Sequence, residues 1–256
     1  MKKTLAILAA LVSLSVHANE KLIVGATPVP HAEILEFVKP TLAKEGVDLD
    51  IKVFTDFIQP NQQLALKNLD ANYYQYRPFL DDYNKTCHTD LVPVVGVHIE
   101  PFGAYSTKIK NISELKDGAT VSIPNDPVNT GRALVLLHEA GLIKLKDPSN
   151  TLATQRDIAE NPKLLKIREL EGALLARSVS QVDLAFVFAN YALEAGIDTN
   201  SALIVEKGKS LYVEFLVARP DNINDPGVQK LAKALNSDEV RQFILTRYKG
   251  QIAPGF

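Results

Sequence analysis

Cysteine is almost missing from this chain. Cys87 is the only one, so no internal disulfide can staple the fold, and stability has to come from a packed core. Tryptophan is absent, and the single methionine is Met1. Charge of one sign is lacking as well: 28 basic residues against 30 acidic ones leave a formal net charge of −2. That balance supplies no basic footprint, and nucleic acid is not an expected partner. Long apolar runs are confined to the start, where Leu5 to Val16 is shorter than the roughly 20 residues a spanning helix needs. There is no internal repeat and no low-complexity segment.

Lys2 and Lys3, the apolar run and Val16-x-Ala18 together read as a secretory signal peptide over residues 1–18. Ala18 is followed by Asn19, Glu20 and Lys21, where a lipoprotein signal would place a cysteine. The expectation is therefore a soluble periplasmic protein without a lipid anchor. The remaining length of about 240 residues can bury a large core, and typical domain sizes of about 100 to 150 residues favour two lobes.

Strands are expected at Lys21 to Val24, Leu49 to Phe54, Asn72 to Tyr74 and Leu91 to His98. Helices are expected at Ala32 to Glu45, Gln62 to Leu69 and Pro78 to Lys85. A second series starts with the strand Thr120 to Ile123 and the helix Asn129 to Ala140, stopped by Gly141. It runs on through Leu165 to Leu170, Ala173 to Val179, Leu184 to Phe188 and Tyr191 to Ala195. A last strand, Leu211 to Ala218, precedes helices at Pro226 to Leu235 and Asp238 to Tyr248. Alternation of this kind implies βαβ units, parallel sheets and an α/β fold. A cleft between two such lobes, beyond the strand ends, is where a small ligand binds. Thr27, Phe57, Tyr74, Tyr76 and Asn190 all follow strands.

The segment Asn125-Asp126-Pro127-Val128-Asn129-Thr130-Gly131-Arg132 stands out. Asn125 or Asp126 suits an N-cap and Pro127 the first helical position. Arg132 then places a cation in the early turns of a helix whose N-terminal dipole is already positive. A carboxylate held by the free N–H groups and the guanidinium fork would make that placement favourable; an exposed arginine is the alternative.

Enzymatic motifs are lacking. There is no Gly-x-Ser-x-Gly elbow, no His-Glu-x-x-His helix and no phosphate loop. Cys87-His88 has no second pair at metal-ligand spacing and reads as a loop. No cofactor and no metal site are expected, and an exported hydrolase is the competing class.

Lys21-Leu22-Ile23-Val24-Gly25-Ala26-Thr27-Pro28-Val29-Pro30-His31-Ala32-Glu33-Ile34-Leu35, Asp70-Ala71-Asn72-Tyr73-Tyr74-Gln75, Pro101-x-Gly103-Ala104-Tyr105-Ser106, Ile123-Pro124-Asn125-Asp126-Pro127-x-Asn129-x-Gly131-Arg132-Ala133 and Asn190-Tyr191-Ala192-Leu193 follow one another in an order that resembles the NlpA-type methionine-binding proteins. These are the substrate-binding components of methionine ABC importers. The resemblance runs from Lys21 to Phe256. It implies a two-lobe periplasmic binding protein of type II-like architecture, its cleft lying between lobes joined by two crossing strands near Pro101 to Ser106 and Leu211 to Ala218. Residues 19–104 with 214–256 would form lobe one and 105–213 lobe two. It further implies that Arg132 grips a ligand carboxylate, that Asn190 joins the polar set around the amino-acid head group, and that a monomer docks on the importer's membrane subunits.

The chain departs from the family at Phe57 (usually tyrosine), Tyr74 (phenylalanine), Tyr76 (histidine) and Glu214 (asparagine). Arg132, Asn190, Glu214, Tyr74, Tyr76 and Phe57 are therefore the expected ligand contacts. Methionine or a related amino acid is the expected cargo, with a more polar amino acid, a derivative or a short peptide as the alternative. Hydroxyls gained at Tyr74 and Tyr76 would need polar partners that a thioether supplies poorly.

Overall fold

The computed structural model describes residues 19–206 and 212–256. Residues 1–18, which the sequence assigns to a signal peptide, lie outside the described residues, as does Leu211 at the head of the last expected strand. In chain order the first elements are β1 (Glu20–Ala26), α1 (Glu33–Lys44), β2 (Val47–Val53), α2 (Gln59–Ala65), β3 (Ala71–Tyr76), α3 (Arg77–Cys87), β4 (Val92–Ile99) and β5 (Phe102–Tyr105). The chain continues through β6 (Thr120–Pro124), α4 (Pro127–Glu139), a small hairpin of β7 (Lys144–Leu145) and β8 (Ile158–Glu160), β9 (Lys166–Leu170), α5 (Gly172–Ser178), β10 (Leu184–Phe188), α6 (Ala189–Glu194) and β11 (Ile204–Val205). It ends with β12 (Val213–Ala218), α7 (Pro226–Leu235), α8 (Asp238–Tyr248) and β13 (Ala253–Pro254).

Two larger sheets organise these elements, in the strand orders β13-β4-β12-β3-β1-β2 and β11-β5-β10-β6-β9. Parallel pairing is found where the sequence alternates strand and helix, at β1 with β2 and β3 and at β6 with β9 and β10. The other pairings of the two sheets, involving β4, β5, β11, β12 and β13, are antiparallel, so each sheet is mixed. Each sheet also has its own apolar core. In the first, α1 turns Ile34, Leu35, Val38 and Leu42 inward, the spacing that puts side chains on one helical face. Central strand β3 is buried at every position, and its polar side chains are paired with Asn61: Asn72 Nδ2 and Gln75 Nε2 both donate to Asn61 Oδ1, at 2.8 and 2.6 Å. A buried amide left unpaired would cost about 1–3 kcal/mol.

The passages between the sheets differ from the sequence expectation. β5 pairs with β10 and β11, so the chain leaves the first sheet at Glu100-Pro101, ahead of the expected boundary at 104/105. β12 lies wholly within the first sheet between β3 and β4, so the return passage falls before Val213. The sequence pattern marks β4 as a strand, and the resemblance places a crossing strand near Pro101 to Ser106; neither says which sheet accepts each, because register with distant partners decides that.

Candidate functional site

One pocket lies where elements of both sheets meet. Its walls are the rings of Phe57, Phe79, Phe102 and Phe188, and its polar lining includes Arg132, Glu100, Asn190 and Glu214. The space free of atoms, counting open solvent at its mouth, is about 380 Å³, and the side chains close tightly on it. Phe57 follows β2, yet its ring packs on Phe188 and Tyr191 at centroid distances of 5.2 and 5.0 Å. Tyr191 also donates its hydroxyl proton to the Thr55 carbonyl at 3.1 Å. Side chains from the two sheets therefore close over the pocket from both sides.

Arg132 is held by the local sequence. Asp126 caps α4, its side chain accepting from Asn129 N at 2.9 Å, and Pro127 takes the first turn as expected. Gly131 allows α4 to approach the Thr151 carbonyl, a spot a Cβ would fill. One turn in, the guanidinium is buried, lying 3.6 Å from the Tyr212 ring centroid and 4.7 Å from that of Phe102. Its Nε and Nη2 donate to the two carboxylate oxygens of Glu206 at 2.6 and 2.7 Å. The fork that the sequence leaves open for a ligand is thus half occupied by the chain itself. Among the described residues two of its five N–H donors have a hydrogen-bond partner. Glu206 stands 74 residues away, and no spacing signal links it to Arg132.

Tyr74 and Tyr76 are buried, and the chain satisfies their hydroxyls. Tyr74 donates to the Phe57 carbonyl at 3.1 Å and Tyr76 to Asn129 Oδ1. Burial raises both phenols well above their ordinary pKa, so both stay protonated donors. The expectation that these hydroxyls demand a polar ligand side chain is corrected: their hydrogen bonds are made within the protein, and rings face the cavity.

At the other end, Glu100 Oε2 accepts the Asn190 backbone N–H at 3.0 Å, and Glu100 Oε1 lies 2.9 Å from His98 Nε2. Burial pushes Glu100 up, but the His98 hydrogen bond, nearby charge and the Asn190 N–H outweigh it, leaving its carboxyl below the usual value. Glu214 is the opposite case. Burial first, and the Glu100 charge second, hold it well above the usual carboxylate range. Its Oε2, together with Asn190 Nδ2 and Oδ1, is buried without a hydrogen-bond partner. His31 Nε2 stands 3.5 Å from Glu100 Oε1 and 3.8 Å from Glu214 Oε2. Burial lowers the His31 pKa to about 3, so the imidazole is neutral and these proximities are not ion pairs. The sequence reading did not single out His31, His98 or Glu100 as site residues. The one available signal was His98-x-Glu100, a period-2 spacing that puts two polar side chains on one side of a strand.

Comparison with known proteins matches residues 22–256 to the family described as NlpA lipoprotein. The chain is 40% identical over 243 residues to the D-methionine-binding lipoprotein MetQ of Salmonella typhi, covering 94% of this chain and 89% of that protein. It is 44% identical over 235 residues to outer membrane lipoprotein 2 of Mannheimia haemolytica, covering 91% and 85%. Among solved structures, a nutrient binding protein from Burkholderia cenocepacia bound to methionine superposes with a TM-score of 0.88 at 40% identity, covering 92% of this chain and all of that one. The relatives correct one expectation. They are named lipoproteins, which overturns the reading of a freely soluble periplasmic protein without a lipid anchor; that reading rested on the few residues after Ala18, a short-range signal. The methionine-binding resemblance, the α/β class and the two-lobe architecture hold, and over residues 22–256 this chain is a member of the NlpA lipoprotein family.

Proposed function

We propose that this chain is the substrate-binding component of an ABC importer and binds methionine or a related amino acid in the pocket between its lobes. The observation that carries the reading is the polarity of that pocket. Arg132, with two of its five N–H donors bonded among the described residues, lines the pocket together with Asn190 and Glu214, which offer buried atoms without a described partner, and aromatic rings wall the space. A zwitterion with an apolar side chain complements that arrangement: carboxylate towards Arg132, ammonium towards Asn190 and Glu214, and side chain among Phe57, Tyr74, Tyr76 and their neighbours. A charge-assisted hydrogen bond contributes about 1.5–3 kcal/mol net, whereas micromolar affinity needs about 8 kcal/mol. Burial of the side chain against the rings supplies the rest.

The importer's membrane subunits are the partner that goes with this reading, and the chain acts as a monomer that binds and releases cargo without transforming it. The lobes divide as residues 19–101 with 212–256 and residues 102–206, a partition supported by sheet membership. Mass spectrometry of small molecules released on denaturing the freshly purified protein tests the function. Methionine or another amino acid in near-stoichiometric amount is the expected result. Recovery of only non-amino-acid cargo, with no heat on titrating free amino acids, would remove the reading.

A further inference from the structure

Beneath the pocket, four buried side chains converge. His31 Nε2, His98 Nε2 and Glu100 Oε1 lie within 4.8 Å of one another, and Glu214 Oε2 is 3.8 Å from His31 Nε2. We propose that these four residues form a binding site for a divalent cation of the zinc class. Zinc sits about 2.0–2.2 Å from nitrogen and oxygen ligands, so tetrahedral ligand atoms are about 3.3–3.5 Å apart. The separations here are 2.9 Å for His98 to Glu100, 3.5 Å for His31 to Glu100 and 3.8 Å for His31 to Glu214. These three lie within about half an ångström of the tetrahedral spacing, whereas the His31–His98–Glu100 set spans up to 4.8 Å, so closing on one ion draws the two imidazoles together by about 1 Å.

The surroundings of the two imidazoles match. His31 Nδ1 is 2.7 Å from Thr27 Oγ1, and His98 Nδ1 is 2.5 Å from Tyr73 Oη. In the structure as it stands His98 Nε2–H donates to Glu100 Oε1 at 2.9 Å; with an ion bound, each hydroxyl can instead accept an Nδ1–H, which fixes the other tautomer and frees the Nε2 lone pair for the metal. Outer partners of this kind orient histidine ligands around metals. Charge is consistent too. A dication with the two carboxylates and two neutral imidazoles sums to zero, so the ion would not leave uncompensated charge in the interior. Without a cation, His31 Nε2 and Glu214 Oε2 are buried and lack hydrogen-bond partners, and each such atom costs about as much as a lost hydrogen bond. An ion on Glu214 Oε2 draws the carboxylate charge away from a ligand ammonium and sets two cations side by side, so zinc and amino acid oppose one another, and by linkage each weakens the other.

The test uses the purified full chain without a histidine tag, stripped with a chelator and freed of amino acids. Zinc is titrated by calorimetry and cobalt by visible absorption. One equivalent of zinc and an intense tetrahedral cobalt spectrum are expected. His31→Gln and Glu100→Gln, each confirmed folded by circular dichroism, weaken zinc at least tenfold, whereas Cys87→Ser changes nothing. Zinc also lowers the apparent affinity for methionine in wild type but not in His31→Gln. The proposal is overturned if folded wild type takes up no zinc, if the cobalt spectrum carries a thiolate band that disappears in Cys87→Ser, or if the folded variants bind zinc as wild type does. The metal titration contains no amino acid, and methionine binding by the zinc-free chain is measured separately, so failure of this site is distinguishable from failure of the proposed function.

Discussion

Glu214→Gln isolates the charge proposed to meet a ligand ammonium, because glutamine keeps the shape of the side chain and removes only its ability to ionise. In the free protein burial and the Glu100 charge favour the protonated acid, whereas an ammonium beside it favours the carboxylate. Binding therefore expels a proton, and wild-type affinity rises with pH, by up to tenfold per unit, wherever Glu214 is protonated in the free protein and ionised in the complex. The glutamine variant loses one charge-assisted hydrogen bond, about 1.5–3 kcal/mol, or roughly 10- to 150-fold in affinity, and its affinity is flat over the same range. Folding carries a linked signature. A carboxyl whose folded pKa is raised contributes stability that is complete below the ordinary carboxylate value and lost as pH rises through the folded one. The variant is therefore stabilised relative to wild type towards alkaline pH. Calorimetry of methionine binding in buffers of different ionisation heat counts the protons directly. Equal affinities for the two proteins, with no proton released by wild type, would refute the reasoning.

Two further perturbations probe the frame around the site. Arg132→Ala weakens amino-acid binding and also lowers stability, because it strips Glu206 of both hydrogen bonds; breaking a fully buried pair costs about 3–5 kcal/mol, and the 18% exposure of the Glu206 side chain holds the loss at or below that range. A thermal melt unchanged from wild type would contradict it. Gly131→Ala drives a methyl group into the Thr151 backbone, an overpacking that costs about 1–3 kcal/mol and lowers the melting temperature by several degrees, read from a thermal melt; an unchanged melt would contradict it.

Much of this architecture was legible in the chain. The 3.6-residue pattern of Ile34, Leu35, Val38 and Leu42, the Asp126-Pro127 start of α4 and the endings of α7 and α8 are local signals, written within a few residues of the structure they specify. Alternating strands and helices were enough to name the α/β class, and motif order was enough to name the family. What the sequence by itself could not determine depends on residues far apart in the chain. Glu206 reaches Arg132 across 74 positions; Tyr76 of β3 finds Asn129 of α4; His31, His98, Glu100 and Glu214 come from a helical turn, a strand end and an antiparallel neighbour. Each pairing is set by strand register and by closure of one lobe on the other, and hydrogen bonds of a few ångströms leave no periodic trace in sequence. Tertiary structure alone decided that the hydroxyls of Tyr74 and Tyr76 bond within the protein and that Glu214 is buried with one oxygen lacking a hydrogen-bond partner among the described residues.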